Sequence, residues 1–243
     1  MIFEASEFAF QPPSLVARAR RVLIKPNAGY PMPYPISTSR ETMNMIIESI
    51  KQVSDADIII LEGTHNGESI YPVYQALGYD FPRVLMLDVR DCIWVEVENP
   101  LPHPLVVPTF WVPNVVLSSD YLISVSPFKI TGGRGQFSIP NLLSLLPVSK
   151  YKGDAPSGWG TLYELGIDKV IADLYFTLPF DLGVVDARQI FMSADNPIQG
   201  KTDEYGKIIA GEPYEVDREA AQVSGISAGY LAMIESGKTE LEA

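Results

Sequence analysis

The sequence predicts an α/β fold: a mainly parallel sheet with helices on both faces and an irregular, proline-rich excursion. Three observations carry this expectation. Apolar runs such as Asp57-Ile58-Ile59-Ile60-Leu61 are continuous, the pattern of strands buried on both sides of a parallel sheet. Two such runs, residues 21–24 and 57–61, enclose a stretch of helical periodicity, so strand, helix and strand follow one another as a βαβ unit. Several runs also stop at a polar residue: Lys25, Glu62, Asp88 and Asp186. In an open α/β sheet, that carboxyl edge is where ligands bind.

Each element has its own signal. Residues 21–24 form a short apolar strand. Thr38-Ser39-Arg40-Glu41 has capping-box spacing, in which a hydroxyl caps the first turn and the glutamate reaches back. Met43, Ile46, Ile47, Ile50 and Val53 then recur at helical spacing and define one buried face. Residues 69–77 suit a short helix with Pro72 in its first turn. Residues 84–88 are a further strand, and 93–97 alternate as a half-exposed or edge strand does. The stretch ENPLPHPLVVPTFWVP, residues 98–113, carries five prolines. They exclude a central strand or a helix interior and predict an extended surface excursion. Residues 121–125 restore a buried strand. Residues 138–146 read as a helix with Ser138 as its cap and Pro140 in the first turn. Ile167, Val170, Ile171, Leu174, Tyr175 and Leu178 mark an amphipathic helix with Asp168, Lys169 and Asp173 outside. Residues 183–186 and 206–210 are short strands, and the chain is helical from Asp217. With no repeats, low-complexity tracts or linkers, residues 1–243 read as one α/β domain.

Composition narrows the function classes. A chain of 243 residues that is 47% hydrophobic can bury a large core. Its formal net charge of −12 argues against nucleic acid, which demands a basic footprint, and against adsorption to an anionic membrane. A single cysteine, Cys92, excludes an internal disulfide framework and any four-thiolate metal site within one chain, so no iron–sulfur cluster is expected. Cys92 itself reads as structural, since the adjacent Asp91 does not favour a thiolate. MIFEASEFAF places acids where a signal peptide wants basic residues. The most apolar stretch, residues 104–117, is short and broken by Pro108 and Pro113. The expectation is a cytoplasmic protein.

The order VLIKPN, the Thr38 helix start, IIILEG, DYLISVSPFK, SIPNLL, VVDA with NPIQG, and EVDREAAQVSGI resembles domain-of-unknown-function family 362 over roughly residues 20–226. Each piece is a weak motif alone; their joint order makes the resemblance specific. Many members of that family carry a cysteine-rich, ferredoxin-like module, whose motifs this sequence lacks. The family often places a histidine shortly after the lysine matching Lys129, where Ile130, Thr131 and Gly132 stand here. It often has Lys-Asn where this sequence has Pro140-Asn141, so only Asn141 carries over. A second histidine, expected after the segment near Lys150, is missing too. The family is distantly similar to lactate racemase, which uses a nickel-bearing pyridinium nucleotide. Histidines would be expected as ligands or acid–base groups for such chemistry, and only His65 and His103 exist here.

Residue by residue, a candidate site still emerges. Lys25 stands at the carboxyl end of the first strand, Asn27 offers amide donors beside it, and the Thr38/Ser39 helix start supplies free N–H groups. Pro26, Pro31, Pro33 and Pro35 would hold that loop ready. A second cationic stretch, FKITGGRGQFS, brings Lys129 and Arg134 around Gly132-Gly133. It matches neither a Walker loop nor GxGxxG, so nucleotide recognition is not implied. Read plainly, Lys25 is an exposed strand-end lysine and the glycine stretch a surface turn. Read together, Lys25, Asn27, Lys129, Arg134 and Asn141 line one cleft with Thr38 and Ser39 at its margin, suited to a small phosphate- or carboxylate-bearing molecule. The strand-end acids allow two further roles. A divalent metal could bridge carboxylates to an anionic ligand, or Glu62 or Asp186 could do general acid–base work. His65 reads as a surface-loop histidine. Two functions follow: an enzyme acting on an anionic small molecule, or a noncatalytic binding or interaction protein that keeps the fold without the family's histidines.

Overall fold

The computed structural model describes residues 1–156, 158–178 and 180–242. In chain order its main elements are β1 (Ile2–Glu4), β2 (Arg21–Pro26), α1 (Arg40–Val53), β3 (Asp57–Glu62), α2 (Tyr71–Ala76), β4 (Val84–Asp88), β5 (Trp94–Glu98) and β6 (Thr109–Pro113). Then come α3 (Asn114–Leu117), β7 (Tyr121–Thr131), β8 (Arg134–Gln136), a 3-10 turn (Pro140–Leu145), α4 (Val148–Tyr151), α5 (Gly160–Glu164) and α6 (Ile167–Thr177). β9 (Leu182–Ser193), β10 (Lys201–Gly211), α7 (Pro213–Ser224) and α8 (Gly229–Glu242) complete the order.

The main sheet runs β1-β10-β9-β7-β2-β3-β4, with β8 attached to β7. From β9 to β4 every neighbour is parallel, while β10 and β1 join antiparallel at one edge. The fold is therefore α/β with a mostly parallel, mixed sheet. Alternate side chains of one strand leave opposite faces. Accordingly Val22, Ile24, Ile58, Ile60 and Ile123 pack against Met43, Ile46, Ile47 and Ile50 of α1. Leu23, Leu61 and Leu122 pack on the other face with Val170 and Leu174 of α6. Helices cover both faces.

Several local expectations change. The proline-rich stretch is not a bare excursion: it supplies the loop and the second strand, β6, of a two-stranded antiparallel ribbon whose first strand, β5, is the edge strand expected over 93–97, and its Phe110 and Val112 are fully buried. Four of its prolines fall in the connecting loop and Pro113 ends a strand, which leaves the ladder itself intact. That loop explains a second difference. Asp173, expected outside, is fully buried and accepts hydrogen bonds from the backbone N–H groups of Leu105, Val106 and Val107 and from Asn99 Nδ2, at 2.8–2.9 Å. These amides have no strand partner, so a carboxylate from α6 satisfies them. The N-cap of α1 is Ser39, which accepts from the N–H groups of Glu41 and Thr42, whereas Glu41 pairs with Arg188. Ser138 does not cap a helix; its hydroxyl and N–H donate to the buried Asp217 carboxylate. β7, β9 and β10 are 11, 12 and 11 residues long, far beyond the short runs expected, because paired neighbours extend them past their apolar cores.

Candidate ligand-binding site

Lys25 lies within β2, between β3 and β7, and register sets it opposite Ser124. It shares the face of Leu23, and its side chain is fully buried. Its ammonium donates to Glu62 Oε2 at 2.9 Å, to the Pro26 carbonyl at 2.6 Å and to Asn141 Oδ1 at 3.2 Å. Burial lowers the Lys25 pKa below the ordinary lysine value, and the Glu62 charge pulls it back up. Glu62, at the end of β3, is equally buried and accepts three further hydrogen bonds, from Ala28 N, Gly63 N and Ser144 Oγ. Its carboxylate is thus committed on every side. Gly63 permits this closeness, since a Cβ there would lie 2.9 Å from the Ser144 carbonyl oxygen. Asn141, on the 3-10 turn, also donates to the Lys25 carbonyl and to Ser124 Oγ.

Lys129 differs in kind. It sits on β7 with 1% exposure and donates to the Ile36 carbonyl at 3.2 Å and to Asn27 Oδ1 at 3.4 Å. Its nitrogen lies 5.9 Å from the centre of the Tyr30 ring. Among the described residues, no carboxylate oxygen stands within 4.0 Å of it. Burial drives its pKa down to about 8; Glu62 opposes the shift and the nearby Lys25 adds to it. The sequence Gly132-Gly133 is not an open ligand loop. Its positive φ angles, 59° and 73°, close the hairpin between β7 and β8, with Thr131 opposite Arg134.

A cavity of about 370 Å³ opens at this edge of the sheet. Asn27, Glu62, Lys129, Arg134 and Asn141 line it, together with Tyr30, His65 and Tyr163. Lys25 stands behind Glu62 and Asn141 and is not among the lining residues. Arg134 is largely exposed and forms an ion pair with Asp168. Thr38 and Ser39 lie apart from the cavity. Thr38 Oγ1 accepts from Asn27 N and donates to the Val125 carbonyl, so it fastens the loop rather than facing a ligand. Asp186 also lies elsewhere, fully buried, its carboxylate held by Thr42 Oγ1 and Arg188 at the start of α1. A more open hollow of about 690 Å³ lies around Arg21, Asp57 and Val84, at the opposite ends of the strands and away from both lysines.

His65 belongs to the cavity, with its ring 5.0 Å from that of Tyr30 and its Nδ1 buried without a hydrogen-bond partner. The signal for it was present, because Gly63-Thr64-His65 directly follows the strand end that presents Glu62. Tyr163 and Trp159 come from a stretch without any chemical motif. Among the described residues there is no group of three or more His, Cys, Asp or Glu side chains placed to hold a metal ion. Nor, among them, is any helix long and apolar enough to cross a membrane.

Fold and cavity together define an α/β protein with a lysine-bearing cleft at the carboxyl edge of its parallel strands. The chain belongs to the family described as Domain of unknown function (DUF362), whose model matches residues 22–222. No curated protein matches it by sequence. Among solved structures it is similar to the lactate racemase apoprotein from Thermoanaerobacterium thermosaccharolyticum, with a TM-score of 0.53 and 14% sequence identity over 90% of this chain and 53% of that one. At that identity the likeness is one of fold, and the chain spans about half the length of the racemase.

Proposed function

We propose that the cleft binds a small anionic molecule bearing a carboxylate or phosphate, with Lys129 as the cation that holds it. One observation carries this reading: a buried lysine lines a cavity of ligand size without a carboxylate at ion-pair distance. A buried charge normally requires a paired partner. Lys25 has Glu62, and Arg134 has Asp168, which among the described residues leaves Lys129 as the cleft cation with a charge to offer. Arg134 lies within reach of the same ligand by exchanging its exposed pair. Tyr30, His65 and Tyr163 would flank the ligand's body.

Binding alone accounts for these features. Neither Glu62 nor Asp186 has a free acceptor position from which to take a proton, and this favours the binding role over general-base catalysis by either carboxylate. A nickel-bearing nucleotide does not fit the donors present. Among the described residues His65 is the one imidazole in the cleft, while His103 is exposed and meets Glu240 at 2.6 Å. The anion-binding role needs no such group.

Calorimetric titration with inorganic phosphate, sulfate and glycolate tests the reading. A charge-assisted hydrogen bond contributes about 1.5–3 kcal/mol, so Lys129→Met should weaken the best of these ligands roughly 10- to 150-fold. Arg134→Ala should cost less, because its charge is exposed and already paired. Equal affinity in wild type and Lys129→Met, or no binding by wild type at millimolar concentration, contradicts the proposal.

A further inference from the structure

We propose that Lys129 is a Schiff-base lysine, condensing in the cleft with the carbonyl group of a small anionic oxo compound, of which the 2-oxo acids are the simplest class. The inference rests on the anion-binding reading and adds a reactive group to it.

The geometry around Nζ is that of an amine presented for attack. A neutral amine has two N–H bonds and one lone pair. The Ile36 carbonyl and Asn27 Oδ1 accept two hydrogens, which leaves the third tetrahedral position without a hydrogen-bond partner among the described residues, on a residue that lines the cavity. Lys25 provides the contrast: its ammonium is held by Glu62, Pro26 and Asn141, and it lies outside the lining. A buried lysine beside another cationic group is the arrangement that activates amines as nucleophiles. Lys129 has both influences, and they bring its pKa to about 8. The one carboxylate opposing them, Glu62, is already saturated with donors.

The step balances without a redox partner. The Nζ lone pair forms a bond to the carbonyl carbon while the C=O π pair moves to oxygen, and a proton passes from nitrogen to that oxygen to give a carbinolamine. Protonation of the hydroxyl lets it leave as water as the nitrogen lone pair closes the C=N bond, and the proton borrowed from solvent returns from nitrogen. One water is released, and hydrolysis reverses the sequence. Arg134, exchanging its exposed pair with Asp168, takes the anionic group when Lys129 is the neutral amine, and the carbonyl places its carbon at Nζ.

The test uses the full chain with pyruvate or glyoxylate, sodium cyanoborohydride to reduce any imine, and peptide mass mapping. Lys152, which is exposed, serves as an internal reference. At about pH 7.5 a lysine of pKa about 8 holds on the order of a hundredfold more free amine than an ordinary one. Reduced adduct should therefore form on the order of a hundredfold faster at Lys129 than at Lys152, be suppressed by saturating inorganic phosphate, and vanish from that position in Lys129→Arg. Labelling at Lys129 no faster than at Lys152, with phosphate still binding, overturns the Schiff base and leaves the anion site standing. Fast labelling at Lys129 in a chain that binds neither phosphate, sulfate nor glycolate supports the nucleophile and overturns the anion site. Absence of both overturns both. The comparison within wild type holds even if Lys129→Arg fails to fold.

Discussion

Replacing Lys25 with methionine should unfold the chain far more readily than its single-residue change suggests. The substitution keeps the apolar stem but removes an ammonium that is fully buried and makes three hydrogen bonds. Pro26 O and Asn141 Oδ1 lose a donor, and the Glu62 carboxylate is left buried with its charge uncompensated. Breaking one partner of a buried pair costs about 3–5 kcal/mol. Glu62 retains Ala28 N, Gly63 N and Ser144 Oγ, which places Lys25→Met near the lower end, about 3 kcal/mol. Glu62→Gln should cost more, about 4–5 kcal/mol, because an amide NH2 must face a donor that the carboxylate satisfied. The double variant should be less destabilised than the sum of the two, with a coupling of about 2–3 kcal/mol. Urea unfolding at neutral pH, followed by tryptophan fluorescence and circular dichroism, measures all three. A loss below about 1 kcal/mol for Lys25→Met, at unchanged denaturant slope, would refute the claim that the pair is a buried structural unit.

Three further outcomes are expected. Asp173→Ala leaves three loop amides without their side-chain acceptor and removes one of the two acceptors of Asn99 Nδ2, so it should cost about 3–5 kcal/mol and expose the 99–107 loop to proteolysis; wild-type cleavage rates would contradict the anchoring role. Gly183→Ala would place a Cβ 2.5 Å from Ser138 Oγ and should disturb the Ser138–Asp217 bond, lowering the melting temperature by several degrees; an unchanged melt would show that Ser138 yields freely. Lys129 has a folded pKa of about 8, below its ordinary 10.5, so the folded chain sheds this proton first as pH rises. Between about pH 8 and 10 this group holds more protons in the unfolded chain, so its own contribution to stability rises through that window. Relative to Lys129→Met, which cancels the tyrosine titrations, wild type should gain about 2 kcal/mol of unfolding free energy; a flat difference across the window means that Lys129 is not depressed.

What could be read from the sequence follows the range of the interactions. The β2-α1-β3 unit was legible because periodicity is local: Met43, Ile46, Ile47 and Ile50 reveal the buried face of α1 within one helix. The two lysines were legible as a pair at one edge, since each follows a buried apolar run. Their difference was not. Lys25 is neutralised by a glutamate 37 residues on, and Lys129 meets acceptors more than 90 residues before it. Asp173 reads as solvent-facing by helical periodicity and is buried because a proline-rich loop some 70 residues earlier lacks partners. Gly132-Gly133 serves a tight hairpin and a ligand loop equally well as letters; the strand pairing of Thr131 with Arg134 decides it. Asp186, proposed for acid–base work, sits on β9 with its carboxylate taken by Arg188, two residues away, and by Thr42 in the first turn of α1, 144 residues earlier.

The central claim, that Lys129 is the cation holding an anion in the cleft, is tested most directly by the protons taken up on binding. At about pH 8 the amine of Lys129 is half protonated, and a bound anion favours the ammonium. Calorimetric titrations with inorganic phosphate, or with whichever of the three anions binds best, are run in two buffers of different ionisation enthalpy. Corrected for the anion's own protonation, they should show an uptake of about half a proton per site at that pH, falling toward zero by about pH 6. Lys129→Met should remove this uptake. Binding by wild type without proton uptake near pH 8, or the same uptake in Lys129→Met, would contradict the account.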